Sequence, residues 1–460
     1  MKLCFGTVLA VAAALASPPV TAAERFTVPV EYLKLENGLR VVLSEDRTAP
    51  TAIVGVYYNI GFRIEPRDRT GFAHLFEHMM FQGSQNLGKM ELGRLVSARG
   101  GFLNGSTRFD FTNYFQVVPA NALETMLWAE ADRMKGLAIT QENLRNQQAV
   151  VKNEVKVNVL NRPYGGFPWL DLPQHANENW HNAHNFYGDL GDLDAATLED
   201  VKTFFSQFYA PNNAALVVVG DVDRQQTQAW IRRYFGGIPA AKLAEKPDIS
   251  EPRQAIEKRA SKTDSLATKP ALAVGYKAPK RMTPEYFALG VIDQILLQGR
   301  DSRLYGALVE GGYTGDVEGG INAPLGNMFD VNGPTLWTFS LVHDAERKAD
   351  DVLKAADVEI EALRARPIDV GSLERARVKA RSALYDDLER LFGFGRANLL
   401  ACFALFDDDP GLINRLEQEF GKVTPELIQR TAQDYLRPTN RTVLVLEPKG
   451  AAAPAASEQD

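Results

Sequence analysis

The chain contains two similar halves, and this internal repeat constrains its fold more than any other feature. Residues 209–213 (YAPNN) and 435–440 (YLRPTN) each lead into an apolar run. In both halves this pattern predicts a helix, a Pro-Asn turn and a buried strand. A strand pattern followed by a helix pattern also begins each half, with the strands at 53–58 and 271–276. We therefore predict an α+β protein of two homologous domains, each a mostly antiparallel sheet packed with helices.

The remaining segments differ in composition from the two repeated halves. Residues 237–264 are rich in proline and charge and lack periodicity, which indicates a connection between domains. The last residues consist mainly of Ala, Pro, Ser and acidic side chains, which is typical of disorder. The predicted organisation is a signal peptide at 1–23, a metal-binding catalytic domain at 24–240, a linker at 241–264, a second domain without metal ligands at 265–448 and a disordered tail at 449–460.

The amino-terminal segment predicts export. Lys2 precedes an apolar run at 3–16 and a small-residue stretch at 20–23, the pattern of a secretory signal peptide cleaved after Ala22 or Ala23. A membrane anchor would need a longer apolar span. We expect an exported protein, most simply a periplasmic one. After cleavage Cys402 is the only cysteine left, so no internal disulfide can form and Cys402 is interpreted as a buried thiol.

The most specific chemical motif is the HLFEH sequence of His74, Glu77 and His78. Positions i, i+3 and i+4 share one face of a helix, so both imidazoles can hold one metal ion with a carboxylate beside them. The chain has six histidines in 460 residues, which makes this spacing rare by chance. Two nitrogen ligands with an adjacent carboxylate are suited to hydrolysis by an activated water, and H-x-x-E-H is the inverzincin signature.

Two histidines do not complete a zinc site, because catalytic zinc normally has three protein ligands. The helix predicted at 142–158 offers Glu154, which borders an apolar face formed by Leu144, Val151 and Val155. The residues alone leave open that Glu154 is a solvated helix carboxylate. In the second half, matching Phe287 with Phe72 places Leu289, Ile292 and Asp293 opposite the three motif positions. We therefore expect the metal site in the first half only.

These motifs give the chain a family resemblance. HLFEH followed by a glutamate 76 residues after His78 (154 − 78) resembles the pitrilysin/insulinase-type zinc metallopeptidases. The likeness extends to segments 100–114, 209–222 and 299–305, and so covers nearly all of the chain after the predicted signal. The length is similar to that of the short two-domain members, which form one half of a clam-shell chamber.

The resemblance implies a role for each matched residue. His74, His78 and Glu154 would bind one Zn²⁺ per chain, and Glu77 would be the general base that takes a proton from the attacking water. Gly101, Phe102, Leu103 and Asn104 would form an edge strand to which a peptide substrate adds as a further strand. For Asn104 the alternative is an ordinary turn residue beside Gly105.

The sequence departs from the family pattern at two places. Gln147 stands where members often have a second glutamate, and on its helix it shares a face with Glu154, so it can act in the second shell of the metal. Val309 stands near the position of an arginine that pairs with a tyrosine, matched here by Tyr313, to hold substrate. The chain therefore lacks this pair in its own second domain.

The resulting prediction is a zinc-dependent endopeptidase subunit that hydrolyses unfolded peptides or small proteins. The alternatives are a non-catalytic scaffold and a peptide-binding module of the same fold. A homologous, metal-free subunit is the expected partner, and a homodimer that uses Tyr313, Arg300 or Arg303 is the alternative. The formal charge of −7 argues against nucleic acid as the main partner, and no membrane span is expected.

Overall fold

The structure is a computed structural model that describes residues 26–449. The predicted signal peptide and residues 450–460 of the predicted tail lie outside this range. The described residues form two sheets, each packed with helices, as the repeat in the sequence predicts. The predicted α+β fold class is confirmed.

The first sheet has six strands in the order β1-β2-β6-β3-β5-β4. Neighbouring strands are antiparallel except for the parallel pair β2 and β6. Central strand β3 is buried along most of its length, which explains its nearly unbroken apolar sequence. The strands are β1 (Glu31–Lys34), β2 (Arg40–Glu45), β3 (Thr51–Tyr58), β4 (Phe102–Thr107), β5 (Thr112–Pro119) and β6 (Ala214–Gly220).

Nine helices belong to the first half of the described chain. Two of them begin at a threonine that caps the helix, because Thr140 accepts the N–H of Asn143 and Thr197 forms a reciprocal capping box with Asp200. The helices are α1 (Phe72–Met79), α2 (Glu91–Ser97), α3 (Leu123–Lys135), α4 (Gln141–Val155), α5 (Asp171–Ala176), α6 (Trp180–Ala183), α7 (Leu190–Ala195), α8 (Leu198–Phe208) and α9 (Arg224–Phe235). A π-helical turn, Lys156–Leu160, continues α4.

The second sheet repeats the β2-β6-β3-β5-β4 part of the first sheet in order and in strand direction. Its order is β7-β11-β8-β10-β9, and its only parallel pair, β7 with β11, corresponds to β2 with β6. The strands are β7 (Lys258–Asp264), β8 (Ala271–Lys277), β9 (Glu318–Ile321), β10 (Leu336–Val342) and β11 (Arg441–Pro448), and the helices are α10 (Pro284–Leu296), α11 (Ala349–Ala365), α12 (Val370–Phe406), α13 (Leu416–Gly421) and α14 (Pro425–Tyr435).

The connection between the halves has no helix or strand between Phe235 and Lys258. The end of the segment expected to be a linker, 241–264, forms β7. Within residues 26–449 no helix is both long enough and apolar enough to cross a bilayer.

Helix α12 joins the two halves. Its backbone is non-helical from Arg390 to Gly393, and the part that follows packs against β2, β3 and β6 of the first sheet. Phe394 stacks on Phe115 with ring centroids 3.8 Å apart, and the buried Tyr57 hydroxyl donates to Asn398. One apolar core therefore includes residues of both sheets. The opposite face of the first sheet packs against the helices of its own half, including α1.

Candidate metal centre

Helix α1 is held to the core by its aromatic face. The Phe76 ring stacks on Phe204 of α8 with centroids 4.8 Å apart, and Phe72 meets the same ring edge-on at 5.7 Å. Such pairs stabilise by about 0.5–1.5 kcal/mol each beyond the area they bury. Side chains four positions apart share a face of a helix, so His74 and His78 lie together on a different face from the two phenylalanines. The packing of the phenylalanines on α8 therefore directs the two histidines toward α4.

The amino terminus of α1 is fixed by a buried carboxylate that sequence analysis did not identify. Both oxygens of Glu65 accept backbone N–H groups, from Gly71 at 2.9 Å and from Ala73 at 2.6 Å. These N–H groups have no partner inside the helix, and a negative charge is favourable at this end of the helix dipole. Burial raises the pKa of Glu65. Glu65 therefore sets the position of the helix that carries the motif.

Three side chains converge where α1 meets α4. Nε2 of His74 lies 3.3 Å from Nε2 of His78, and the carboxylate oxygens of Glu154 lie 3.6 Å from the first and 3.2 Å from the second. Tetrahedral zinc with bonds of 2.0–2.2 Å needs ligand atoms about 3.3–3.6 Å apart. All three separations lie within about 0.1 Å of that range. Within residues 26–449 this is the only group of three or more such side chains close enough to share a metal ion.

The cluster is open to solvent on one side. His74 is nearly buried, whereas the side chains of His78 and Glu154 are 21% and 31% exposed. Hydrogen bonding to His74 and then to His78 holds the pKa of Glu154 well below its usual range. The carboxylate is therefore ionised and able to serve as a metal ligand at neutral pH. An open side is what distinguishes a catalytic metal site from a closed structural one.

Glu77 belongs to the same helix but not to the ligand cluster. Its Oε2 accepts a hydrogen bond of 2.8 Å from the Thr107 hydroxyl at the end of β4. A Cβ on Gly105 would lie 3.3 Å from Cγ of Glu77, so glycine allows the close approach of this strand to the carboxylate. Glu77 thus lies between the cluster and the edge of the first sheet.

The predicted substrate strand is found at that edge. Gly101 immediately precedes β4, which pairs with β5 on one side and has no strand partner on the other among the described residues. Phe102 and Asn104 are exposed and Leu103 is half-buried. The Asn104 amide oxygen accepts the N–H of Gly105 at 2.9 Å. An unpaired edge offers backbone donors and acceptors for an added strand.

Two further residues flank the cluster. Gln147 is buried on α4, and its amide donates to Asn146 at 2.7 Å; in the described part of the chain its amide makes no hydrogen bond to the three clustered side chains. The Tyr187 ring meets the His74 ring edge-on with centroids 5.2 Å apart. Tyr187 lies in a loop without a recognisable motif, so nothing in the sequence pointed to it.

The second half has no corresponding cluster in residues 26–449. Leu289, Ile292 and Asp293 are all buried in α10, and Asp293 accepts the indole N–H of Trp337 at 2.7 Å. Burial raises the pKa of Asp293 to about 6. These positions therefore serve the core of the second half.

The residues considered for substrate holding differ in exposure. Val309 is partly buried against the core, and the Arg347 guanidinium lies over the Tyr313 ring at 5.2 Å. Arg300 is exposed and Arg303 is half-buried.

Comparison with known proteins agrees with this fold. Residues 40–163 match the family model described as "Insulinase (Peptidase family M16)", and residues 195–379 match "Peptidase M16 inactive domain". The zinc protease PqqE of Helicobacter pylori is 26% identical over 429 residues, which cover 91% of this chain and 93% of that protein. A crystal structure of a protease from H. pylori superposes with a TM-score of 0.83 at 25% identity, and covers 92% of this chain and all of the other.

A longer protein shares the fold. The periplasmic protease PqqL from Escherichia coli gives a TM-score of 0.72 at 17% identity, with 93% of this chain matched to 49% of that one. Together, the two matched models and the arrangement of two repeated α+β halves define a class of protein. The chain belongs to the pitrilysin/insulinase-type family of metallopeptidases, peptidase family M16.

Replacing Glu65 by Ala should destabilise the fold and loosen α1. Two buried N–H groups would lose their acceptor, at a cost of about 1–3 kcal/mol each. We expect a lower melting temperature and weaker metal binding, measured by thermal unfolding and by metal titration. Glu346→Ala, which removes an exposed carboxylate from the turn between β10 and α11, is the matched control and should change neither quantity. Equal melting temperatures for the two variants would contradict the anchoring role.

Proposed function

We propose that this chain is a zinc-dependent endopeptidase subunit that hydrolyses unfolded peptides or small proteins. The observation that carries the proposal is the convergence of His74, His78 and Glu154 at separations suited to zinc, with Glu77 beside them and an unpaired strand edge next to Glu77. The zinc proteases among its relatives support the same function.

The donor set is suited to zinc rather than to a harder cation. Two imidazole nitrogens and one carboxylate form a common catalytic zinc site, whereas Ca²⁺ and Mg²⁺ prefer oxygen ligands. A bound zinc ion supplies Lewis-acid polarisation, which lets water act as a nucleophile at neutral pH. Glu77 is not needed as a ligand, so its carboxylate is free to take a proton from the attacking water and pass it to the leaving amine. The Thr107 hydroxyl orients this carboxylate.

Strand β4 supplies the means of holding a peptide. A substrate that pairs with the open edge is bound through its backbone, which suits an enzyme that accepts many sequences. Gly101, Phe102, Leu103 and Asn104 are the proposed contact residues, because they lead into and begin the strand that runs past Glu77. Gln147 is proposed to support the metal environment from the adjoining turns of α4.

The rival function is a non-catalytic scaffold or peptide-binding subunit. The "inactive domain" model matches 195–379, whereas all four residues of the proposed centre lie in the segment 40–163 that matches the insulinase model. A scaffold has no need of an ionised glutamate beside two histidines at zinc-binding distances. This difference favours the enzyme.

The proposal includes a partner and a compartment. The chain matches about half the length of PqqL, and its own second half carries Val309 where the substrate-holding arginine is expected. We propose that a homologous, metal-free subunit closes the chamber and donates the Arg/Tyr pair, with a homodimer as the alternative. The signal-like sequence at 1–23 supports export, and a periplasmic location is proposed.

The first test concerns the metal. We expect one zinc ion per chain by elemental analysis after dialysis, and loss of zinc in His74→Ala because two ligands hold zinc poorly. The melting temperature of the metal-free variant should resemble that of the metal-free parent. His175→Ala, which removes an exposed histidine of α5, is the control and should retain zinc. Full zinc occupancy in His74→Ala would rule out this centre.

The second test concerns the general base. Glu77→Gln preserves the shape of the side chain but cannot accept the proton, so peptide hydrolysis should fall roughly a hundredfold or more. Zinc content should be unchanged, which separates loss of the base from loss of the metal. Release of a fluorogenic fragment from an unfolded peptide is the measurement. Cleavage by Glu77→Gln at the parental rate would contradict the role of Glu77 as general base.

The third test concerns the partner. The purified chain should be weakly active or inactive, and a homologue from the same organism that lacks HxxEH but carries the Arg/Tyr pair should restore turnover. Light scattering coupled to size exclusion should detect a complex of one copy of each chain. Full activity of this chain alone, unchanged on addition of the homologue, would contradict the heterodimer.

A further inference from the structure

Two exposed apolar side chains stand next to each other at the break in α12. Leu391, Phe392 and Gly393 have positive φ angles of 52°, 60° and 89°. This left-handed conformation is ordinary for glycine but unfavourable for the two residues before it. The break leaves Leu391 50% exposed and Phe392 76% exposed. Neither the strained backbone nor the exposure of two apolar side chains stabilises the fold, which suggests a role in binding.

The Phe392 ring belongs to a row of four aromatic rings. It lies 6.3 Å from the ring of Phe102, the first residue of β4, which is itself 36% exposed. Phe102 meets Phe115 edge-on at 6.1 Å, and Phe115 stacks on Phe394 in the core. The outer two rings thus form an apolar surface that rests on a rigid aromatic base. Val358 on α11, which is 66% exposed, is an apolar residue of comparable exposure elsewhere in the second half.

The position of this surface relative to the metal cluster follows from strand geometry. Gly105 lies against Glu77, and Phe102 comes three residues earlier on β4, about 10 Å away at roughly 3.3 Å per residue. Side chains alternate along a strand, so Phe102 faces the side covered by α12, whereas Gly105 and Thr107 face α1. A peptide paired with β4 would present its side chains alternately to these two sides.

We propose that Phe102 and Phe392 form a subsite for one large apolar side chain of the peptide substrate, about three residues from the bond that is cut. The occupant is a peptide strand because the surface is continuous with the unpaired edge of β4. The proposal rests on the proposed function, since it takes the substrate to be a peptide bound at that edge. The second half of the chain thereby contributes to specificity through a residue remote from the metal.

The test uses a series of otherwise identical decapeptides of small polar residues in which a single Phe is moved along the chain. Mass spectrometry of the products locates the cut bond for the zinc-loaded protein in the presence of the homologous subunit proposed above. Affinity is measured by fluorescence anisotropy in a Glu77→Gln background, so that no peptide is consumed. We expect the cut to stay about three residues from the Phe, and peptides with the Phe to bind roughly tenfold more tightly than the Phe-free peptide.

The variants then assign the preference to the subsite. Phe392→Ala should abolish the roughly tenfold preference while the Phe-free peptide binds as before. Phe102→Ala should independently abolish the preference. Phe392→Leu should retain the preference, and Val358→Ala, which removes an exposed apolar side chain elsewhere, should leave it unchanged. Equal melting temperatures of parent and variants show that the fold is intact.

The outcomes separate the subsite from the catalytic proposal. A preference that survives both Phe→Ala substitutions, or no preference in the parent, overturns the subsite. If the parent binds the Phe-containing peptides preferentially, Phe392→Ala loses this preference, and no peptide is cleaved, the result supports the subsite and counts against the peptidase function. Cleavage without a preference for the Phe-containing peptides supports the peptidase function and overturns the subsite.

Discussion

The last part of α12 packs on the first sheet, and this contact joins the two halves of the chain. It places a helix of the second half on one face of the sheet while α1 and its neighbours cover the other. A sheet buried on both faces has only its edges left for binding. One edge of the first sheet is β4, and it runs beside Glu77. Truncation of a buried aromatic such as Phe394 would cost about 3–5 kcal/mol, which shows how much stability this junction supplies.

The metal cluster depends on rigidity rather than on strong local interactions. Two imidazoles and a carboxylate lie at metal-binding distances because α1 is fixed at its start by Glu65 and along its length by aromatic contacts with α8. The carboxylate comes from α4, which packs against α1. Such preorganisation keeps the ligand geometry from being lost to side-chain entropy when a metal binds. The same arrangement leaves Glu77 outside the ligand cluster, where it accepts a hydrogen bond from Thr107.

Several elements could be predicted from the sequence because their signal is local. The strands predicted at 53–58 and 271–276 lie inside β3 and β8, and apolar periodicity located α4 apart from its π-helical end, where the spacing of backbone hydrogen bonds changes. The buried environment of Cys402 is confirmed, since its apolar neighbours in sequence are also its neighbours in the core. Glu65, Tyr187 and the break at Leu391 were not foreseen, because each acquires its role from residues distant in the chain.

The repeat, the α+β class and the pairing of two histidines with a carboxylate on one helical face all follow from the sequence, because each depends on patterns with a spacing of a few residues. For Glu154 the residues alone could not distinguish a ligand from a solvated carboxylate, and its assignment came from the family resemblance. Only the tertiary structure shows its carboxylate 3.6 Å and 3.2 Å from the two imidazoles. It also decided that α12 crosses to the other sheet and carries Phe392 to the edge of β4. Contacts between residues hundreds of positions apart arise from tertiary packing, and a local sequence pattern does not predict them.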